Sequence, residues 1–402
     1  MRKLLTFLVA FISFSAAAQQ GMWRAQLHRD DEHLIVFNFE WKLQEGKSTW
    51  IIHNGTERIS VTDIVTQGDS LIIQMPVFES QFRVKFEKNR LNGKWIRGSS
   101  SNPVVIGFTA QPGNTRFASG NELNKNITGR WAVLFQDGKI YDTAVAEFKQ
   151  DGNKLTGTFM TTSGDYRYLE GVVRNDSLFL STFDGSHAFS FLARIADSAT
   201  LTGGWYYSGA RFKQNWTARR NDKAAVPSDA SAMYLRPGEE SLNFTFNDLD
   251  GKPVSINDDR YKNKVVVVQL MGSWCPNCMD ETAFLSEYYA KNHARGIEII
   301  SLAYEYSTDL ERSKKTLRRF QQAFSIQYPM LITGVSVSDS MRTEKTLPQL
   351  TPIKMFPSSI IIDKKGKVRR IDTDFNGPGT GEHFVAYKQK FEGVIEGLLQ
   401  EN

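Results

Sequence analysis

Cysteine is nearly absent from this chain: 402 residues contain two, Cys275 and Cys278. That scarcity excludes a fold held together by a framework of disulfides. It also argues against a structural zinc site, which takes about four ligands. There is no second Cys-x-x-Cys, and the six histidines (His28, His33, His53, His187, His293 and His383) are scattered, so neither a metal nor another cofactor is expected. Long apolar runs are missing beyond the first residues, so no segment reaches the roughly 20 residues of a bilayer-spanning helix. Neither sign of charge dominates: 49 Lys and Arg stand against 44 Asp and Glu, interspersed, for a net +5. Nucleic-acid binding is therefore not indicated.

The N-terminus points to a compartment. Arg2-Lys3 precedes the apolar stretch Leu4 to Phe14, and Ala16-Ala17-Ala18 offers a small-residue cleavage site before Gln19. This reads as a signal peptide over 1–18, with no adjacent cysteine for a lipid anchor. The expectation is an exported, soluble, periplasmic protein. In an exported chain a lone Cys-x-x-Cys is a working pair, because so short a ring constrains the unfolded chain too little to stabilise the fold.

Residues 19–220 read as β throughout. Short runs of Val, Ile, Phe, Tyr, Trp and Thr are broken by turns such as Asn54-Gly55, Gly68-Asp69, Asp137-Gly138 and Asp151-Gly152. This half repeats itself. Gly21-Met22-Trp23 matches Gly129-Arg130-Trp131, Gly68-Asp69-Ser70-Leu71 matches Asn175-Asp176-Ser177-Leu178, and Leu91-Asn92-Gly93-Lys94-Trp95 matches Leu201-Thr202-Gly203-Gly204-Trp205, each about 110 residues apart. Two copies of one β domain are expected, over 19–120 and 121–220, each a small barrel or sandwich of about eight strands. The opening Gly-x-Trp resembles the start of lipocalin-like barrels. Such a barrel either fills with its own side chains or holds one small apolar ligand. A linker rich in Ala, Ser, Asp and Pro is expected over 221–238, with few residues able to make contacts.

From 239 to 402 strands and helices alternate. Val265 to Met271 reads as a buried parallel strand. A helix follows, with Phe284, Leu285 and Tyr288 on one face. Trp274-Cys275-Pro276-Asn277-Cys278 thus lies where a strand turns into a helix N-terminus, whose free N–H groups and dipole stabilise a thiolate. Cys275, placed on the exposed side, can attack another disulfide. Further on, Thr308-Asp309-Leu310-Glu311 reads as a capping box opening a helix. That helix has an apolar seam of Leu310, Leu317, Phe320 and Phe324. Its basic face, Arg312, Lys314, Lys315, Arg318 and Arg319, reads as solvated. Thr333 to Met355 reads as a long polar loop. Ile360 to Ile362 and Val368 to Ile371 flank a hairpin turn, and a final helix carries Phe384, Phe391, Ile395 and Leu398.

This order, β-α-β-α-β-β-α around a Cys-x-x-Cys, resembles the thioredoxin fold, and more narrowly the TlpA/ResA-like family of exported thiol-disulfide oxidoreductases. Three segments carry the resemblance: Phe246 to Lys252, Gly272 to Cys278, and Phe356 to Gly366. It implies an α/β thioredoxin-like C-terminal domain; with the duplicated all-β half read from the repeats, which is not part of the family core, the chain is expected to be multidomain. The resemblance implies Cys275 as nucleophile, Cys278 as resolving thiol, Pro357 as a cis-proline whose neighbouring backbone holds substrate, and Glu281 as a proton carrier one turn beyond Cys278. A first-turn glutamate is equally what the helix dipole favours. Trp274, Pro276 and Phe356 border the disulfide and are expected to meet substrate. Gln269 stands where cytosolic thioredoxins carry a buried aspartate. The implied partners are disulfide-containing proteins and a membrane electron donor, and the implied direction is reduction.

Two other readings compete. A thiol peroxidase of this fold wants Pro-x-x-x-Thr/Ser-x-x-Cys, and Gln269 to Trp274 supplies neither that proline nor that threonine. A binding protein would use the β repeats, with the redox domain as an accessory.

Overall fold

The computed structural model describes residues 20–98, 103–118, 120, 125–227 and 232–401. The signal segment 1–18 lies outside the described residues, as does part of the 221–238 linker.

The first repeat is a nine-stranded antiparallel meander from Gly21–His28 to Val104–Pro112, in which the first strand also pairs with the last. The sheet curls into a barrel with its two edges at Glu57–Val61 and Asp63–Gln67. In the second repeat eight strands, Gly129–Asp137 to Phe212–Arg220, close on themselves, and a two-residue strand, Gly164–Asp165, hangs from Lys154–Thr161. Alternation produces this curvature. In Ser80–Glu87, Phe82 and Val84 point inward while Arg83 and Lys85 face solvent. Gly138 and Gly152 hold their hairpin turns at φ 59° and 56°, in the left-handed region that glycine enters freely.

Rings fill both interiors. Phe39 stacks on Trp50 at 4.1 Å in the first, and Phe191 stacks on Tyr206 at 4.5 Å in the second. The barrels are also fused: Phe183 of the second stacks on Phe37 of the first at 4.4 Å and joins its core. Buried Arg116 bridges them, donating to the Ser181 carbonyl at 3.0 Å and to the carbonyl of His53.

The C-terminal domain is a seven-stranded mixed sheet in the order 253–255, 245–248, 330–332, 297–303, 265–271, 358–362, 368–372. Every residue of the central strand Val265–Met271 is buried. It runs parallel to Ile297–Ala303 and antiparallel to Ser358–Ile362. Four helices complete the domain: α1 (Pro276–Asn292), α2 (Leu310–Ala323), α3 (Arg342–Thr346) and α4 (Glu382–Gln400). Phe284 of α1 meets Phe391 of α4 edge to face at 5.3 Å.

Several expectations need correction. The 333–355 stretch is not a plain polar loop: it contains α3 and buries Leu347, Leu350 and Ile353 without a regular period. The linker makes contacts, because Met233 is buried, Leu235 pairs with Leu350, and Arg236 donates to the Leu350 carbonyl at 2.8 Å. Asp309, not Thr308, caps α2, accepting from the Arg312 N–H at 3.0 Å. Leu310 at the head of that helix is exposed rather than in the seam, while Leu317 and Phe320 are fully buried. The basic face is not wholly solvated, since Arg312 reaches Glu79 of the first barrel, with Nε 3.2 Å from its carboxylate.

Candidate active site

The strand Val265–Met271 ends one turn before α1, and Cys275 is the residue that caps that helix. The Cys278 N–H donates to Cys275 Sγ at 3.2 Å, so an unpaired amide of the first turn points at the sulfur. Pro276 occupies the first helical position, where its missing N–H costs nothing. On its other side Cys275 Sγ donates to the Phe356 carbonyl at 3.5 Å, and the Phe356–Pro357 peptide bond is cis. Both cysteines are buried and make no disulfide with one another here.

Cys278 lies beneath, with no exposed surface, and burial together with its contact to Cys275 pushes its thiol well above the ordinary range. Cys275 was expected on the exposed side, yet only 5% of it is accessible. The β half packs beside the site. Val77 and Phe78 of the first barrel enter the same buried cluster as Cys275, and Ser186 of the second donates to the Trp274 carbonyl at 3.3 Å.

Glu281 faces the sheet. Its carboxylate accepts from Gln269 Nε2, Ser359 Oγ and Tyr387 Oη, each at 2.9 Å. The register makes this possible: Gln269 stands beside Ser301 on one neighbouring strand and Ser359 on the other. Burial pushes Glu281 up to about 7 against these three hydrogen bonds. Trp274 anchors its indole N–H on the Tyr304 carbonyl at 2.8 Å, and its ring lies 4.8 Å from Tyr306 and 6.0 Å from Phe356. The buried Glu305 carboxylate accepts from Ser273 N and Oγ at 2.8 and 2.7 Å, bracing the turn before Cys275.

The β half supplies residues that sequence reasoning missed. Asn277, between the cysteines, donates to Asp165 Oδ2 at 3.1 Å. Gly164 permits this approach, because a Cβ there would stand 2.3 Å from the Asn277 side-chain oxygen. Next to it Arg167, 3% exposed at its side chain, grips Asp280 through two bonds of 2.7 and 2.8 Å. The same guanidinium reaches Asp184 at 3.1 Å and Glu57 of the first barrel at 2.6 Å. One cation therefore ties both barrels to the N-terminal half of α1. Burial pushes Asp280 up to about 6 and Arg167 opposes it. Asp280 and Glu281 diverge by roughly 100° around the helix, so one acid faces the barrel and the other the sheet. No group of three or more His, Cys, Asp or Glu among the described residues is placed to hold a metal ion.

The AhpC/TSA family model matches residues 237–371. The thiol-disulfide oxidoreductase ResA of Bacillus thuringiensis subsp. konkukian is 29% identical over 153 residues, 38% of this chain and 77% of the relative. ResA of Bacillus subtilis is 22% identical over 144 residues, 36% and 71% of the two chains. The C-terminal region is a TlpA/ResA-like thioredoxin-fold domain. Among solved structures, a thioredoxin-family thiol:disulfide interchange protein from Chlorobium tepidum aligns at 19% identity over 41% of this chain and 99% of that one, with a TM-score of 0.30. Within this TlpA/ResA-like domain the residues singled out from sequence converge. Cys275, Cys278, Trp274, Pro276, Phe356 and Pro357 surround one sulfur pair, and Glu281 sits one turn deeper with Gln269 bonded to it.

Proposed function

We propose that the protein is an exported reductase of protein disulfides, working through Cys275 and Cys278. The observation that carries this is the asymmetry of the pair: one sulfur at the helix N-cap facing an amide and a peptide carbonyl, the other fully buried behind it. Such an arrangement suits ordered exchange. The Cys275 thiolate attacks one sulfur of a substrate disulfide, forming a mixed disulfide and expelling the other sulfur as a thiolate. Cys278 then loses its proton and attacks Cys275, closing the internal disulfide and releasing the second substrate thiolate. Two electrons pass to substrate. An electron donor at the membrane, itself a dithiol, restores the pair by the reverse exchange. Glu281, pushed to about 7, is tuned to take the Cys278 proton near neutral pH. The Phe356–Pro357 segment supplies backbone beside the sulfur for an extended substrate chain.

Trapping tests the roles. Cys278→Ser should accumulate mixed disulfides through Cys275 when the protein meets a disulfide-bonded substrate. Cys275→Ser should accumulate none. The reverse pattern would refute the assignment, and hydrogen peroxide consumption matching disulfide turnover would favour the peroxidase reading.

A further inference from the structure

A cleft of about 210 Å³ opens where both barrels meet the redox domain. Phe78 and Val104 of the first barrel, Ser186 of the second, and Trp274 and Tyr306 of the redox domain form its walls. Resting on the reductase reading, we propose that this cleft is a specificity pocket that takes one large apolar side chain of the substrate polypeptide, close in sequence to the cysteine under attack.

Position is the first argument. Trp274 immediately precedes the attacking cysteine, and its ring is held by the Tyr304 carbonyl and faces Tyr306 at 4.8 Å. A chain whose sulfur reaches Cys275 lays its neighbouring residues across that wall. The pocket thus adjoins the residue that precedes the attacking cysteine. Size is the second argument. Pockets for drug-sized ligands run to about 300–1,000 Å³, and this one is smaller, matching a single side chain. Surface is the third. Tyr306 and Val104 are 62% and 37% exposed, large apolar groups left open on a wall that ordinary packing would have covered.

Charge is balanced around the cleft. Arg312 at the rim is bound by Glu79, and Glu305 is engaged by Ser273. Arg97 donates to the Ser186 carbonyl at 2.6 Å and makes no ion pair among the described residues. The lining thus carries two guanidinium groups, Arg97 and Arg312, and two carboxylates, Glu79 and Glu305, so no net charge opposes an apolar occupant. The β half, on this account, reads the substrate, and the redox half reacts with it.

Two cyclic peptides test the proposal. Each carries one internal disulfide, and they differ only in having Phe or Ser on both sides of the first cysteine. Single-turnover reduction by the dithiol protein oxidises Cys275 and Cys278 as it reduces the peptide. The Phe peptide should react about tenfold faster or more, the discrimination an apolar pocket can supply. Val104→Trp, which fills the cleft, and Val104→Asp, which charges it, should each bring that ratio towards one. The ratio is internal to each variant, so a general loss of folding cancels from it. Equal rates for the two peptides with the natural protein, or an unchanged ratio in both variants, would overturn the pocket. Reduction of neither peptide would instead overturn the reductase reading beneath it.

Discussion

Enclosed by α1, the central strand and α4, Glu281 has three hydrogen-bond donors and makes no ion pair among the described residues. Burial raises its pKa from 4.5 to about 7. Between those values the folded protein keeps a proton that the unfolded chain has released, so stability falls as pH rises through the window. At about 1.4 kcal/mol per unit the loss from this one group is about 3 kcal/mol. Asp280, raised to about 6 from 3.8, acts with the same sign over a lower range. Glu281→Gln should therefore flatten the decline in stability between pH 5 and pH 8, measured as urea unfolding of the reduced protein at the two values. An undiminished decline would show that Glu281 is not the titrating group. The residue types at the sulfur pair were legible in sequence because their spacing is local. Glu281 was visible for that reason, but Tyr387 and Ser359, which set its environment, lie 106 and 78 positions away and carried no signal.

Helix α1 is held through Asp280 in its N-terminal half as well as by its apolar side chains. Arg167 binds Asp280 there while also satisfying Asp184 and Glu57, and all four side chains are largely buried. Removing the cation strands three carboxylates. Arg167→Ala should destabilise the protein by about 3–5 kcal/mol, read from chemical unfolding at neutral pH. Arg167→Lys should recover only part of that, because an ammonium cannot reproduce the two-pronged contact. A loss below about 1 kcal/mol for the alanine variant would mean that the ion cluster is not what docks the helix. Elements with a strong period were read correctly: the buried strand Val265–Met271, the amphipathic α1 and the 358–372 hairpin. The 333–355 stretch was not, since Leu347, Leu350 and Ile353 bury themselves singly. The α2 surface shows the same limit, because nothing local marks Arg312 as the basic residue that meets Glu79.

Across the whole molecule, both barrels pack against the redox domain beside the Cys275–Cys278 pair. Internal repetition revealed the barrels, since each copy repeats Gly-x-Trp at its opening and buries that tryptophan, Trp23 and Trp131. What repetition concealed is their difference. Only the second barrel carries the Asp165 and Arg167 loop against α1, and only the first sends Val77 and Phe78 into the redox core. Cys275, expected on the exposed side, is buried at this junction. The expectation of a passive linker failed for the same reason: packing between distant segments has no period to reveal it. The proposed reductase must donate electrons to disulfides. Equilibrating the protein with glutathione buffers and counting free thiols gives the midpoint potential of the Cys275–Cys278 pair. A reductase should show about −200 to −300 mV, in the range of thioredoxin, and a value above about −150 mV would contradict the reductase reading by making the pair an oxidant.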